Sequence, residues 1–104
     1  MMPIDFLPEA DQEMLEAARY YQSLSSGLGD DYLTEVEHAV QSIASSPQTW
    51  PVLEGDLRRR LIKRFPFGIL YRIEPDKILK ILIIAVSHLR KKPGYWKKRI
   101  SRSE

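Results

Sequence analysis

Apolar residues change their spacing along the chain, and each change marks a different predicted element. From Pro8 onward they recur every three or four positions, which predicts an amphipathic helix. The members of this stripe are Ala10, Met14, Ala17, Tyr21 and Leu24. A second stripe runs from Tyr32 to Ile43 and stops before Pro47, which predicts a second helix. The linker at residues 25–29 is short and contains two glycines, so the helices are expected to form an antiparallel αα-hairpin.

The segments on either side of this hairpin have the shorter period of β-strands. Residues 2–7 are short and mixed in character, which predicts an edge strand. Further strands are predicted over residues 57–64, 67–74 and 78–86, with turns at Pro66 and Pro75. Residues 48–56 are predicted to form a loop in which Trp50 covers the core.

The strand predicted over residues 78–86 is apolar on both faces. Strict alternation assigns Leu79, Ile81, Ile83 and Ala85 to one face and Ile78, Leu82, Ile84 and Val86 to the other. Such a strand must lie inside a sheet that is covered twice. The hairpin can cover one face, and the segment 87–104 or another chain must cover the other, with packing favoured over base stacking for Trp96.

These elements predict one α+β domain over residues 1–104. An N-terminal strand and an antiparallel αα-hairpin would pack on a mainly antiparallel four-stranded sheet, followed by a basic C-terminal tail. A domain of this length can bury a sufficient core without metals or disulfides. No apolar run is long enough to cross a membrane as a helix, and the N-terminus lacks the features of a secretory signal, so we expect a cytoplasmic protein.

Charge is distributed very unevenly between the two halves of the chain. Only Arg19 of the 16 basic residues precedes Leu57, whereas 11 of the 14 acidic residues do. The basic half, which also carries Tyr71, His88, Tyr95 and Trp96, suits a polyanion or an acidic protein partner. The alternative is a solvated basic face that protects edge strands from aggregation.

Few catalytic groups are available to this sequence. The absence of cysteine excludes disulfides, thiolate catalysis and cysteine-bound zinc. Two histidines without close carboxylate spacing predict no metal site, and the sequence contains no phosphate-binding or dinucleotide-binding motif, so we expect no cofactor. His88 is a candidate general acid or base in RNA cleavage, although a structural role is favoured for a lone histidine at a strand end. His38 is expected at the surface.

The order of elements and several short motifs resemble the RelE/ParE superfamily of toxins from type II toxin–antitoxin systems. The matching motifs are Pro8-Glu9-Ala10, Tyr20-Tyr21, Gly27-Leu28-Gly29, Ser46-Pro47, Trp50-Pro51, Arg58-Arg59, Arg64-Phe65-Pro66-Phe67, Tyr71-Arg72, Ala85-Val86-x-His88 and Pro93-Gly94-Tyr95-Trp96. The resemblance covers nearly the whole chain. It implies a growth-inhibiting toxin that a cognate protein antitoxin neutralises.

The two branches of the superfamily imply different activities. A RelE-like toxin cleaves messenger RNA on the ribosome, and its catalytic residues would correspond here to Arg59, Arg60, Lys63, Arg72, His88 and Tyr95. A ParE-like toxin poisons DNA gyrase and is not an RNase. In either case the expected target-binding residues are Arg58, Arg64, Arg90, Lys91, Lys97 and Arg99.

One departure favours the ParE-like branch. The RelE-like pattern has an arginine after an aromatic residue on the second strand of the C-terminal run, but here Phe67 is followed by Gly68. Losing such a cation commonly reduces catalysis by about 100-fold or more. Arg72 shares the parity of Gly68 but lies roughly 13 Å farther along the strand, so it does not replace the missing group. An inactive binding module with the same fold remains a third possibility.

Overall fold

The computed structural model describes residues 1–74 and 79–103. The elements in chain order are β1 (Ile4–Phe6), α1 (Pro8–Leu24), α2 (Leu28–Ser45), β2 (Val52–Glu54), β3 (Leu57–Leu61), β4 (Phe67–Glu74), β5 (Lys80–His88) and α3 (Lys97–Ser103). The α+β architecture predicted from the sequence is confirmed. The predicted turn at Pro75 and the predicted strand start at Ile78 lie outside the described residues.

The described strands form one sheet with the order β1-β5-β4-β3-β2. β1 runs parallel to β5 at one edge, as an edge strand should, and the other neighbouring pairs are antiparallel. The sheet has five strands rather than the predicted four. The additional strand, β2, lies within residues 48–56, which were predicted to form a loop. Its three residues are exposed and show no apolar alternation, so the sequence pattern does not reveal a strand there. Backbone pairing with β3 adds it to the sheet, including a hydrogen bond from the Arg59 amide to Pro51 O.

The two long helices form the predicted hairpin. α1 begins at Pro8, since the first turn of a helix does not need the amide that proline lacks. Gly27 precedes α2 with a φ of 88°, a conformation that favours glycine. Gln22 Oε1 accepts hydrogen bonds from the amides of Gly27 and Gly29 at 3.2 and 3.1 Å. The assignment of Leu24 to the buried stripe is wrong, because α1 ends at this residue and its side chain is 59% exposed.

Apolar side chains pack on both faces of the sheet. The face beneath the helical hairpin buries Tyr32, Val36, Ile43, Ile69, Tyr71 and Ile83, with Trp50 packed against this core. The opposite face buries Leu57, Leu70, Leu82, Ile84, Ala85 and Trp96. The predicted packing of Trp96 against the second face is therefore confirmed. We call this second face, which carries the C-terminal segment, the C-terminal face.

A β-bulge in β5 changes the predicted alternation. Leu70 of β4 is opposite Ala85 and Tyr71 is opposite Ile83, so Ile84 is an extra residue. Beyond the bulge, Ala85 packs with the C-terminal face and Val86 with the hairpin face, the reverse of the prediction. A bulge places two consecutive residues opposite one partner, so strict alternation fails there.

The first strand of the basic region is shorter than predicted. β3 ends at Leu61 rather than at Arg64, and the chain turns through residues 62–66. The Ile62 amide donates a hydrogen bond to Phe67 O, and Arg64 adopts a φ of 69°. Ile62 and Phe65 are buried beneath the helices, so this turn contributes to the core.

Candidate functional site

A pocket of about 310 Å³ lies on the C-terminal face, between the β2–β3 edge and the segment 87–97. We call it the C-terminal pocket. Its walls include Leu53, Arg59, Leu70, Lys91, Tyr95 and Trp96. Cavities of this size accommodate small ligands or single side chains of a partner. Three of the six candidate catalytic residues, Arg59, His88 and Tyr95, contribute to this pocket.

Arg59 reaches this pocket by crossing Gly68. The two residues lie on neighbouring strands, with Arg59 opposite Leu70 and Gly68 opposite Leu61. A Cβ atom built on Gly68 would lie 3.1 Å from both Cγ and Cδ of Arg59. The missing side chain at Gly68 therefore provides the space in which the Arg59 stem packs. A cation from the adjacent strand thus lies beside the position where the sequence lacks one.

His88 lies at the end of β5 and at the rim of the pocket. Its imidazole packs edge-on against Phe67, a residue of the hairpin-side core, with 5.1 Å between the ring centroids. Nδ1 accepts a hydrogen bond from the Arg90 amide at 3.0 Å. A neutral imidazole in this arrangement carries its hydrogen on Nε2. The Nδ1 atom is therefore occupied by a backbone contact.

Tyr95 and Arg99 both bind Glu13 of α1. The Tyr95 hydroxyl donates to Glu13 Oε2 at 2.6 Å, and Arg99 Nη1 and Nη2 donate to the two carboxylate oxygens at 2.8 and 3.2 Å. The side chains of Glu13 and Arg99 are only 13% and 14% exposed. Burial opposes the charge of Arg99, but Glu13 outweighs this effect and raises the pKa of the guanidinium.

Glu13, Tyr95 and Arg99 form a cluster, and two of its members also bind the exposed edge of β5. β1 has only three residues, and the Leu7 amide makes the last backbone hydrogen bond at this edge, to Ile83 O. Farther along β5, the Val86 amide donates to Glu13 Oε1 at 3.1 Å, and Arg99 Nη1 donates to Ile84 O at 3.1 Å. These side chains therefore supply hydrogen bonds that a neighbouring strand would otherwise provide.

The Tyr95 hydroxyl is held in its neutral form. Burial and the hydrogen bond to Glu13 raise its pKa to about 12, from an ordinary value of 10.0. At neutral pH it is a hydrogen-bond donor rather than a general base. Lys91 Nζ and Arg99 Cζ also lie 4.8 and 5.0 Å from the centre of its ring.

Tyr95 is expected to make the protein more sensitive to alkali. Unfolded Tyr95 ionises near pH 10 and folded Tyr95 near pH 12, so the stability it contributes is present below pH 10 and lost as pH rises to about 12. The melting temperature of the wild type should fall more steeply over this interval than that of Tyr95→Phe. Tyr20→Phe, which removes a hydroxyl from a 60% exposed side chain, should follow the wild-type curve. Parallel curves for the wild type and Tyr95→Phe would contradict this assignment.

Arg58 and Arg60 lie on the hairpin face of β3, away from the C-terminal pocket. Arg58 Nη1 donates to the carbonyls of Gln48 and Trp50, the latter at 2.6 Å. Arg60 Nε donates to Ser42 Oγ at 2.8 Å, and its guanidinium lies 4.9 Å from the centre of the Trp50 ring. Both arginines therefore fasten the segment around Trp50 to the sheet and to α2.

Two further candidates occupy the turn after β3. Lys63 is exposed and lies near Glu35 and His38. His38 is 66% exposed, which confirms its predicted surface position. Arg64 is 57% exposed, and its Nη2 lies 3.5 Å from Asp31 Oδ2. This group of charges is separate from the residues of the C-terminal pocket.

Arg72 is buried within β4 and only 4% exposed. Its Nη2 donates to Glu74 Oε1 at 3.4 Å, and it pairs across the sheet with Leu82. Gly68 pairs with Ser87, whereas Arg72 lies four residues farther along β4, a distance of roughly 13 Å. Arg72 therefore does not supply a cation at the Gly68 position. The structure does not bring Arg72 into the C-terminal pocket.

Residues 1–74 and 79–103 contain neither a metal-binding cluster nor a membrane-spanning helix. This part of the chain contains no group of three or more His, Asp or Glu side chains arranged to bind a metal ion. None of the helices in the same ranges is long and apolar enough to cross a membrane.

Comparison with known proteins identifies the family. A family model described as the ParE toxin of the type II toxin–antitoxin system parDE matches residues 4–93. The chain belongs to the ParE toxin family. Comparison with curated protein sequences found no significant match. A solved chain from the chromosomal ParDE toxin–antitoxin system of P. aeruginosa is 18% identical, with a TM-score of 0.63 over 86% of this chain and 98% of that chain. That structural similarity confirms the fold.

Glu13, which binds Tyr95 and Arg99 beside the C-terminal pocket, was not predicted from the sequence as a site residue. Glu13 lies near the start of α1, yet it binds groups 73, 82 and 86 positions away. A signal was present, because Glu13 lies three positions after Ala10 and four before Ala17, within the apolar stripe. An acidic residue on a buried helix face requires polar partners.

Proposed function

We propose that this ParE-family toxin inhibits growth by binding DNA gyrase and trapping it on cleaved DNA. The observation that carries the proposal is the dispersal of the candidate catalytic residues. Arg59 and Tyr95 line the C-terminal pocket, Arg60 lies on the opposite face of the sheet, and Arg72 is buried farther along β4. General acid–base catalysis requires groups within hydrogen-bonding reach of the same reacting atoms. This arrangement supports a binding function over RNA cleavage.

The two groups best suited to proton transfer are also restrained. The Tyr95 hydroxyl donates to Glu13 and has a pKa raised to about 12. His88 Nδ1 accepts a hydrogen bond from the Arg90 amide, and the His88 ring packs against Phe67. A base that activates a ribose hydroxyl near neutral pH needs an accessible lone pair. The Arg90 amide occupies the Nδ1 lone pair of neutral His88, and Nε2 carries the hydrogen, so in this arrangement His88 can donate a proton but not accept one.

The exposed cations are suited to recognising a negatively charged assembly such as a gyrase–DNA complex. Of the expected target-binding residues, we propose that Arg64, Arg90, Lys91 and Lys97 make direct contact, since their side chains are exposed. Arg58 and Arg99 contribute indirectly, because their guanidinium groups bind the chain's own carbonyls and Glu13. Family membership supports a protein antitoxin as the partner that neutralises this activity.

Ribosome-dependent RNA cleavage is the second candidate function. The observation that favours it is the position of Arg59, whose stem lies over Gly68 in the pocket that His88 and Tyr95 also line. This cation provides part of the charge that the Gly68 position lacks. The mechanism would then use Arg59 to stabilise phosphate and His88 to transfer a proton.

Expression in growing cells distinguishes the two functions. We expect induction to stop growth, to leave abundant messenger RNAs intact in primer extension, and to produce covalent gyrase–DNA complexes that purified toxin also generates on plasmid DNA. The reverse charges Lys91→Glu and Lys97→Glu should reduce these complexes on the order of tenfold, because they oppose a polyanionic target. The control is Glu16→Gln, which alters the charge of an exposed side chain in the helical layer and should leave the amount of gyrase–DNA complex unchanged.

RNA cleavage that depends on Arg59 and His88 would overturn the gyrase proposal in favour of the second candidate. The variants Arg59→Ala and His88→Ala test this dependence, with Lys98→Ala as a control for loss of an exposed charge. Normal growth with soluble, folded toxin and neither signal would indicate an inactive binding module.

A further inference from the structure

The chain that follows β5 carries much positive charge and little regular structure. We call residues 88–100 the 88–100 segment, of which residues 89–96 form neither strand nor helix. The segment has no acidic residue, and its lysines and arginines are Arg90, Lys91, Lys92, Lys97, Lys98 and Arg99. Like charges this close together repel one another. Anionic partners from elsewhere in the chain therefore favour one fixed position of the segment.

Glu13 is such a partner and comes from the opposite side of the sheet. α1 packs into the hairpin-side core, whereas Trp96 of the segment packs on the C-terminal face. β1 ends at Phe6, and beyond this end the Glu13 carboxylate contacts the Tyr95 hydroxyl at 2.6 Å and the two Nη atoms of Arg99 at 2.8 and 3.2 Å. A two-point contact between a carboxylate and a guanidinium fixes orientation as well as distance. Glu13 therefore joins the two layers around the open edge of β5.

The β-bulge at Ile84 directs a backbone group of β5 to the same carboxylate. Before the bulge, Ile83 O accepts a hydrogen bond from the Leu7 amide at 3.0 Å. Alternation alone would bring the next odd-numbered residue to this edge. Because the bulge adds one residue, the amide of Val86 lies there instead and donates to Glu13. Bulges often lie beside functional sites, where they redirect side chains or end strand pairing.

The residues that Glu13 holds lie beside the cations that we propose contact the target. Tyr95 and Arg99 flank Lys97 in sequence, and Lys91 Nζ lies 4.8 Å from the centre of the Tyr95 ring. The side chains of Lys91 and Lys97 are exposed. Charged groups bind a partner more tightly when their spacing is fixed beforehand, because less ordering is then needed on binding. Fixing residues 95 and 99 thus determines where these cations are presented.

We propose that Glu13 is a positioning residue for the toxic activity. By binding Tyr95 and Arg99, it holds the 88–100 segment in the position that presents its exposed cations together. Glu13 is only 13% exposed and acts through the segment rather than by touching the target. The inference rests on the proposed contact between these cations and a target, but not on gyrase as that target.

A neutral variant of the same shape tests this role. Glu13→Gln has one acceptor oxygen instead of two, and its amide nitrogen is itself a donor, so it cannot accept from Tyr95 and Arg99 together. Half-maximal gyrase trapping should require about tenfold more of this variant, at a temperature where circular dichroism shows it folded. Growth arrest after induction should weaken in parallel. Glu16→Gln, at an exposed position of α1, should match the wild type in both assays.

Trp96 reports whether the 88–100 segment has left the sheet. Trp96 is 6% exposed, and Trp50 is the only other tryptophan in the chain, so Trp50→Phe leaves a single reporter. In this background Glu13→Gln should shift the Trp96 emission to longer wavelength and expose it to acrylamide quenching, while the helical circular dichroism signal is retained. Lost activity with unchanged Trp96 emission would overturn the proposal. So would a released Trp96 with wild-type activity.

A covalent bridge separates positioning from direct contact between Glu13 and the target. The chain has no cysteine, so Glu13→Cys with Arg99→Cys can be joined by a bis-maleimide that spans the distance of the two original side chains. The same double variant capped with N-ethylmaleimide should trap gyrase as weakly as Glu13→Gln. The bridged form should recover most of the wild-type trapping although it lacks the carboxylate. A bridged toxin as inactive as the capped toxin would overturn the proposal.

Growth arrest distinguishes failure of this proposal from failure of the gyrase target. Wild-type toxin that arrests growth without trapping gyrase would reject the gyrase target alone, and growth arrest would then be the readout for Glu13→Gln. Wild-type trapping of gyrase with full growth arrest by Glu13→Gln at equal expression would reject the positioning role alone. A folded wild-type toxin with neither activity would overturn both.

Discussion

Replacing Glu13 with alanine is expected to lower the free energy of unfolding by about 3 kcal/mol and the melting temperature by about 15 °C. The carboxylate accepts four hydrogen bonds, from the Tyr95 hydroxyl, the Val86 amide and two nitrogens of Arg99. Alanine accepts none of them. The variant therefore leaves one cation and two neutral donors without this partner in a site that water reaches poorly.

The magnitude follows from the burial of the pair. Removing one member of a fully buried ion pair destabilises a protein by about 3–5 kcal/mol, whereas an exposed pair contributes about 1 kcal/mol or less. Glu13 and Arg99 are 13% and 14% exposed, so the lower end of the buried range applies. Arg99 retains its hydrogen bond to Ile84 O, which limits the loss.

Matched variants separate the cluster from general effects of changing α1. Glu16→Ala removes an exposed carboxylate three residues later in the same helix and should change stability by about 0.5 kcal/mol or less. Glu13→Gln keeps the shape and part of the hydrogen bonding, so it should fall between these two variants. Denaturant and thermal unfolding measure all three, and Glu13→Ala within experimental error of Glu16→Ala would reject the cluster as a stabilising feature.

A double substitution tests whether the loss arises from an uncompensated charge. Glu13→Leu with Arg99→Leu removes both ions, and apolar replacements of a buried pair are often tolerated. The double variant should therefore be more stable than Glu13→Leu alone. A double variant less stable than the single variant would show instead that the Arg99 contacts with Tyr95 and Ile84 O dominate.

Glu13 also shows which part of the structure the sequence could predict. The periods of the apolar residues were sufficient to predict both long helices, the edge position of β1 and the burial of β5 on both faces. These properties depend on neighbours in sequence or on simple alternation. The partners of Glu13 lie 73 to 86 residues away, and the side of the sheet to which each belongs depends on the completed topology.

Irregular backbone caused the errors in the sheet. β2 is held by main-chain pairing with β3 and has no buried residue, so no hydrophobic pattern identifies it. The bulge at Ile84 exchanges the faces of Ala85 and Val86, although both residues are apolar and suit either core. An inserted residue in a strand with two apolar faces leaves no trace in the polarity pattern.

The candidate site was predicted at the level of residue types rather than positions. Consecutive basic residues of β3 lie on alternate faces of the sheet, but which of them share a face with the C-terminal segment depends on the register with β4. That register places Arg59 opposite Leu70 and Arg60 opposite Ile69. Arg59 thereby joins the C-terminal pocket, and Arg60 joins the hairpin side near Ser42.

Replacing Gly29 with alanine is expected to destabilise the protein by about 2 kcal/mol and to lower its melting temperature by about 10 °C. A Cβ at this position would lie 2.5 Å from Ala18 O and 3.0 Å from the Gln22 side chain. The first contact is with backbone of the facing helix, which cannot rotate away. The intrinsic preference of helices for alanine over glycine, about 1 kcal/mol, offsets only part of the resulting strain.

Gly27→Ala provides a contrast two residues earlier. Its added Cβ would meet nothing within 4 Å, so its expected loss of about 1 kcal/mol comes from the positive φ of 88°. Asp30→Ala, at an exposed position in the same turn of α2, controls for changes in helix propensity. Urea unfolding should rank the three variants with Gly29→Ala as the least stable, and a Gly29→Ala protein as stable as the wild type would contradict the close helix contact.

A second-site change distinguishes backbone crowding from side-chain crowding. Ala18→Gly removes the methyl group of Ala18 but leaves its carbonyl oxygen in place, so it should not rescue Gly29→Ala. Gln22→Ala shortens the side chain but keeps the Cβ atom 3.0 Å from the new methyl group, and it removes the acceptor for the amides of Gly27 and Gly29. Neither double variant should therefore recover wild-type stability. Rescue by Ala18→Gly would instead place the conflict at the Ala18 side chain, and α1 and α2 could then tolerate alanine without moving apart.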